Sequence, residues 1–98
     1  MSEYMVSCDL PEVISEELMS LIPDQRKVVN KLFQTGALTG YTLALDRTKL
    51  WITLLAHNEE QVMETLAKMP VMPFLRVDIH PLAFHNAARV VLPALSLN

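Results

Sequence analysis

The stretch that decides the fold is Met69-Pro70-Val71-Met72-Pro73-Phe74-Leu75-Arg76-Val77-Asp78-Ile79-His80-Pro81. Pro70 and Pro73 end a helix, because proline lacks the amide hydrogen a helix interior needs and its ring clashes with the preceding turn. After them Leu75, Val77 and Ile79 alternate with Arg76, Asp78 and His80. Strand side chains point to alternate faces, so this reads as a half-buried strand carrying three ionisable groups on its other face. That face is either open to water or lines something.

Working back from this strand, the helix it follows starts at Asn58-Glu59-Glu60-Gln61. Asparagine caps a helix, acids suit its first turn, and Gln61 can reach back to the capping backbone. Val62, Met63, Leu66 and Met69 are its expected buried stripe. Before it lie two strand-forming runs, residues 38–45 and 50–56, joined by the polar link Asp46-Arg47-Thr48-Lys49 as a hairpin. In the second run Leu50, Ile52 and Leu54 oppose Trp51, Thr53 and Leu55. Earlier still, Ile14, Leu18, Leu21, Ile22, Val28, Val29, Leu32 and Phe33 keep the three-and-four spacing of an amphipathic helix. Pro23 predicts a kink or short break near Ile22, and Gly36 is placed to end the helix. Residues 4–10 form the first strand, with Tyr4, Val6, Cys8 and Leu10 on one face and Met5, Ser7 and Asp9 on the other.

The order is therefore β-α-β-β-α-β. This is an α+β, ferredoxin-like plan over residues 1–82, with both helices on one face of a four-stranded antiparallel sheet. Residues 83–98 form a tail containing Val90-Val91-Leu92-Pro93-Ala94-Leu95, too apolar for a solvated end, and are expected to pack on a neighbouring subunit.

Composition narrows the function. Ninety-eight residues allow one domain, and 51% hydrophobic with 19% charged residues describes a folded chain. The charge of -3, with scattered lysines and arginines, gives no footprint for nucleic acid or an acidic membrane. RNA-recognition domains share the β-α-β-β-α-β order, but their basic, glycine-bearing signature is missing from this chain, which has two glycines. No long apolar run predicts a membrane span, and the first residues do not read as a secretion signal, so a cytoplasmic location is expected. Cys8, the single cysteine, falls on an apolar strand face and reads as an inert buried thiol.

Helices on one face leave the other bare. Trp51, Leu55, Phe74 and Tyr41 would then make an apolar patch that soluble monomers rarely carry, and a two-fold dimer of facing sheets removes it. Interface cavities with a few convergent polar groups are default ligand sites. Asp78 is the candidate base and His80 a proton shuttle, since a partly desolvated carboxylate and an imidazole both exchange protons near neutral pH. Arg76 would hold an anion, Tyr41 and Trp51 would form an apolar wall, and His57 with Phe74 completes the substrate-binding set. The alternative for Asp78 is a structural ion pair with an arginine. No metal is expected, because His80 and His85 flank a proline and no ligand pair has helical spacing. Nor do phosphate-binding glycine loops or nucleophile elbows occur, and no cofactor is expected.

From Asp24 onward, and most closely over Glu64-Thr65-Leu66-Ala67-Lys68-Met69-Pro70-Val71-Met72-Pro73-Phe74-Leu75-Arg76-Val77-Asp78-Ile79, the chain resembles the muconolactone delta-isomerase family. That resemblance implies small ferredoxin-like subunits paired as dimeric α+β barrels. It also implies an enzyme that shifts a double bond in a lactone by moving a proton, with no cofactor. Asp78 stands where the family has an acid, whereas Arg76 and His80 replace acids. Thr39 and Leu43 stand where its second strand carries arginines, and Asp24-Gln25-Arg26-Lys27 where its first helix is acidic and lysine-rich. The expected function is proton transfer or isomerisation on a small cyclic or aromatic-derived compound; the alternative is a silent ligand-binding or assembly module on the same scaffold.

Overall fold

The computed structural model describes residues 1–87. Its elements are β1 (Ser2–Asp9), α1 (Glu16–Ser20), α2 (Ile22–Gln34), β2 (Leu38–Leu43), β3 (Lys49–Ala56), α3 (Glu59–Ala67) and β4 (Arg76–Pro81). A single 3-10 turn, Met72–Phe74, precedes β4. The strands lie in the order β2-β3-β1-β4, with every neighbouring pair antiparallel. This is the α+β plan that the alternation and helix spacing predict. Residues 90–95, on which the expectation of a tail packed against a neighbour rests, lie outside the described residues.

Local chemistry explains the boundaries. Ser15 caps α1 by accepting the Leu18 amide at 3.1 Å. The expected break falls at Leu21, which ends α1 and precedes α2. Pro23 has no N–H to give to the turn behind it, but it fits the first turn of a new helix, where that donor would be free anyway. Gly36 follows the end of α2 with φ 81°, a left-handed conformation that costs glycine little, and its amide bonds the Phe33 carbonyl. At α3 the Asn58 side chain accepts the Gln61 amide at 2.8 Å, and Gln61 Oε1 reaches back to the His57 amide at 2.6 Å.

Tyr4, Val6 and Cys8 of β1 and Leu50, Ile52, Leu54 and Ala56 of β3 are buried beneath Val29 and Leu32 of α2 and Val62 and Leu66 of α3. Each such aliphatic side chain removed from water is worth about 1.5–3 kcal/mol. Met63, expected in the α3 stripe, instead points outward at 50% exposure, and Thr65 takes the inward position. Met69 closes the core below α3. The open face carries Met5, Ser7 and Asp9 beside Trp51, Thr53 and Leu55, as the alternation predicts.

A second expected position is overturned. Tyr41 does not share a face with Trp51. It pairs with Ile52, which is fully buried, while Thr42 pairs with Trp51. The cause is a bulge: Leu38 pairs with Leu54 but Gly40 already pairs with Thr53, so one extra residue sits in β2. A single extra residue sends every later side chain to the opposite face. Without it Tyr41 would point away from the helices. Glycine is needed at position 40, because a Cβ there would collide with Thr53 Oγ1.

Candidate functional site

The residues expected to do chemistry do not converge within the chain. Arg76, Asp78 and His80 line up along β4, an edge strand, and all three are exposed. Their neighbours across β1 are Asp9, Ser7 and Met5 respectively. Trp51 lies one strand further, beyond Ser7, so its backbone is about 10 Å from that of Asp78 at normal strand spacing. His57 is exposed in the link to α3, past the end of β3. Phe74 sits in the 3-10 turn ahead of β4 and is half-buried.

Charge gathers at one end of this open face. Lys49 Nζ meets Asp9 Oδ1 at 2.5 Å, with both side chains over two-fifths exposed. The hydrogen bond from Lys49 holds the Asp9 carboxyl below its ordinary range, helped by the Lys49 and Arg76 charges. The same bond, with the charges of Asp9 and Asp78, raises Lys49. Asp78 and Arg76 thus belong to a solvated network of alternating sign.

The other face holds two partly open, mostly apolar clefts. A cavity of about 410 Å³ opens between α3 and the start of β4, lined by methionines, prolines and aliphatic residues. A second, of about 380 Å³, lies between α1, the start of α2 and the sheet, where β1 and β2 end and β3 begins. Leu10, Leu18, Leu50 and Leu75 give it apolar walls, and Gln25, Tyr41, Arg26 and Arg47 supply its polar groups. Both charged lining residues are cationic, and neither is ion-paired among the described residues. Arg47 occupies the β2–β3 turn with φ 65°, an uncommon conformation for a residue bearing a side chain.

Gln25 and Tyr41 form the cavity's ordered polar element. Gln25 is only 4% exposed. Its Nε2 donates to Tyr41 Oη at 3.1 Å and its Oε1 accepts the Val71 amide at 3.3 Å, tying α2, β2 and the segment before β4 together. Burial pushes the Tyr41 phenol above its ordinary value of 10.0, although the Gln25 hydrogen bond pulls the other way. Tyr41 is therefore a neutral donor at physiological pH. Cys8 is buried and pushed up to about 11, chiefly by loss of water and then by the Asp9 charge, which leaves it a thiol with little nucleophilic character.

The sequence contained a sign of this site. Along Leu18, Ile22, Gln25, Val29 and Leu32 the three-and-four spacing is unbroken, so Gln25 occupies a core position with a polar side chain. Buried amides need partners, and a polar residue inside an apolar stripe marks such a place.

Comparison with known proteins fixes the lineage. The muconolactone delta-isomerase family matches residues 3–88, nearly the whole chain. The chain belongs to the muconolactone delta-isomerase family. A crystal structure of muconolactone isomerase superposes with a TM-score of 0.68 at 15% identity, over 91% of this chain and 96% of that one. The crystal structure of PH0061 superposes with a TM-score of 0.51 at 13% identity, over 91% of this chain and 57% of that one. At such identities these two likenesses are of fold. No match was found among curated proteins. Within this family member, no helix among the described residues is long and apolar enough to cross a membrane. Nor do three His, Cys, Asp or Glu side chains gather as a metal site among them.

Proposed function

We propose that this family member binds a small cyclic compound bearing a carboxylate and a carbonyl in the cavity between α1, α2 and the sheet. The observation that carries the reading is the pairing, in one mostly apolar space, of a neutral Tyr41 hydroxyl anchored by buried Gln25 with Arg26 and Arg47, neither ion-paired among the described residues. Leucine walls would receive the ring. Arg26 and Arg47 would take the carboxylate, for which a guanidinium fork is well matched. Tyr41 would donate to the carbonyl oxygen, and such a donor stabilises negative charge as it develops there.

Family membership favours a second reading, in which the bound compound is isomerised by moving a proton without a cofactor. That chemistry needs a base. Among the described residues no Asp, Glu or His lines the cavity, so the base would be Asp78 on the open face, with His80 as shuttle and Arg76 as anion holder. A ligand there needs a far wall. Self-association through Met5, Trp51 and Leu55 would supply one from a second copy, with the two sheets facing each other.

One experiment separates the readings. The protein is mixed with cyclohexanone carboxylate in deuterium oxide, and binding by calorimetry is read beside deuterium uptake next to the carbonyl by NMR. Binding without uptake is the result expected of a binding module, and uptake lost in Asp78→Asn identifies the open-face isomerase. Absence of binding overturns the cavity reading. Sedimentation of wild type against Trp51→Arg tests the facing sheets, with a concentration-dependent dimer expected only in the wild type.

A further inference from the structure

Gln25 is more than a buried spacer. A side-chain amide has an oxygen that only accepts and a nitrogen that only donates. The Val71 backbone N–H can only donate, so its 3.3 Å contact requires the Gln25 oxygen on that side and turns the nitrogen toward Tyr41 Oη. The Tyr41 oxygen thus receives a hydrogen from Gln25 and cannot return its own, because the amide nitrogen has no lone pair to offer. Among the described residues no other group accepts the Tyr41 hydroxyl hydrogen. That hydrogen is left for the cavity which Tyr41 lines.

We propose that Gln25 is a positioning residue that locks Tyr41 as a hydrogen-bond donor, so that the cavity selects ligands presenting an acceptor oxygen at that point. The class is a ketone, a lactone carbonyl or an enolate, as opposed to an apolar group of the same shape. This rests on the ligand reading above and adds to it a direction for one hydrogen bond. The one-way arrangement comes from the backbone: Val71, 46 residues from Gln25 in sequence, sets which end of the amide faces the tyrosine.

The test uses two probes of equal shape, cyclohexanone carboxylate and its exocyclic-methylene isostere, titrated by calorimetry against wild type, Tyr41→Phe and Gln25→Glu. Wild type should prefer the ketone by about tenfold, the value of one net hydrogen bond. Tyr41→Phe should bring the ratio near unity. Gln25→Glu should do likewise, because a carboxylate accepts from both Val71 and the Tyr41 hydroxyl and turns that hydrogen away from the cavity. A Gln25 that merely supports the fold would weaken both probes alike and leave their ratio unchanged. Ultraviolet titration of tyrosinate gives a readout that needs no ligand. In Gln25→Glu the Tyr41 ionisation should move upward, and Tyr41→Phe should remove that ionisation and so assign it. Equal binding of both probes by wild type, or an unchanged ratio in Gln25→Glu, overturns the proposal and leaves the ligand reading standing. Failure of wild type to bind either probe overturns both.

Discussion

The two faces of the one sheet were built by the same alternation and end with different tasks. Toward the helices, β1 and β3 present apolar side chains with little exposure, and the buried Gln25 amide there bridges the Tyr41 oxygen and the Val71 amide. Away from the helices β1, β3 and β4 carry Trp51 and Leu55 among Asp9, Lys49, Asp78 and His80, and the charged groups meet water. Ionisable residues are easiest to see in a sequence, yet the three singled out there, Arg76, Asp78 and His80, occupy the face with less enclosure. The candidate site uses a buried amide, Gln25, that a reading guided by charge passes over, beside Tyr41, which the sequence reading names but sets on the opposite face.

Neighbouring residues of β3 give the strongest test of this contrast. Leu54 is fully buried under the helices and Leu55 is half-buried on the open face. Leu54→Ala should cost about 2–5 kcal/mol in urea unfolding, from lost transfer energy and the cavity left behind. Leu55→Ala, measured at dilution, should cost less than about 1 kcal/mol, as is usual for partly exposed positions. Equal losses would mean that the open face is as tightly covered as the other.

Next in size is the amide that links three elements. Gln25→Ala leaves the buried Val71 N–H without its acceptor and Tyr41 without its donor, and should cost about 1–3 kcal/mol. Gln25→Glu should restore most of this at neutral pH, since a carboxylate can accept from both. A failure of that rescue would show that burying a carboxylate at this position costs more than the two bonds it restores.

The bulge shows how much of the molecule could be read in advance. Strand and helix order, the break at Leu21, the caps at Asn58 and Gly36 and the alternation of β1, β3 and β4 all follow from local rules that act within a few residues. The face of Tyr41 does not, because it depends on two residues of β2 opposing one of β3, which alternation within a single strand cannot reveal. Gly40 was the available sign, since a glycine inside a strand marks a bulge or a close approach. The candidate site was hidden for a related reason: its polar groups come together only after the bulge turns Tyr41 inward to meet Gln25. Gly40→Ala tests this link. It should destabilise by about 1–2 kcal/mol through the collision with Thr53 Oγ1, and Thr53→Ala should recover part of the loss in a double-mutant cycle.

The smallest effect belongs to the open-face ion pair. Asp9 is lowered below 3.8 in the folded chain, so its contribution is complete above that value and is lost as the pH falls through the folded pKa. Lys49 is raised above 10.5, so its contribution is complete below that value and is lost as the pH rises through its folded pKa. The pair therefore favours folding across the whole interval between the two ordinary values. Because both side chains are solvated, salt should screen it. Lys49→Met should lower the melting temperature slightly at neutral pH and low salt. The difference should close at high salt and again below the aspartate range, while Gln25→Ala stays destabilised under all these conditions. A Lys49→Met loss that survives high salt would place the pair in an enclosed setting, the one that two facing sheets would create.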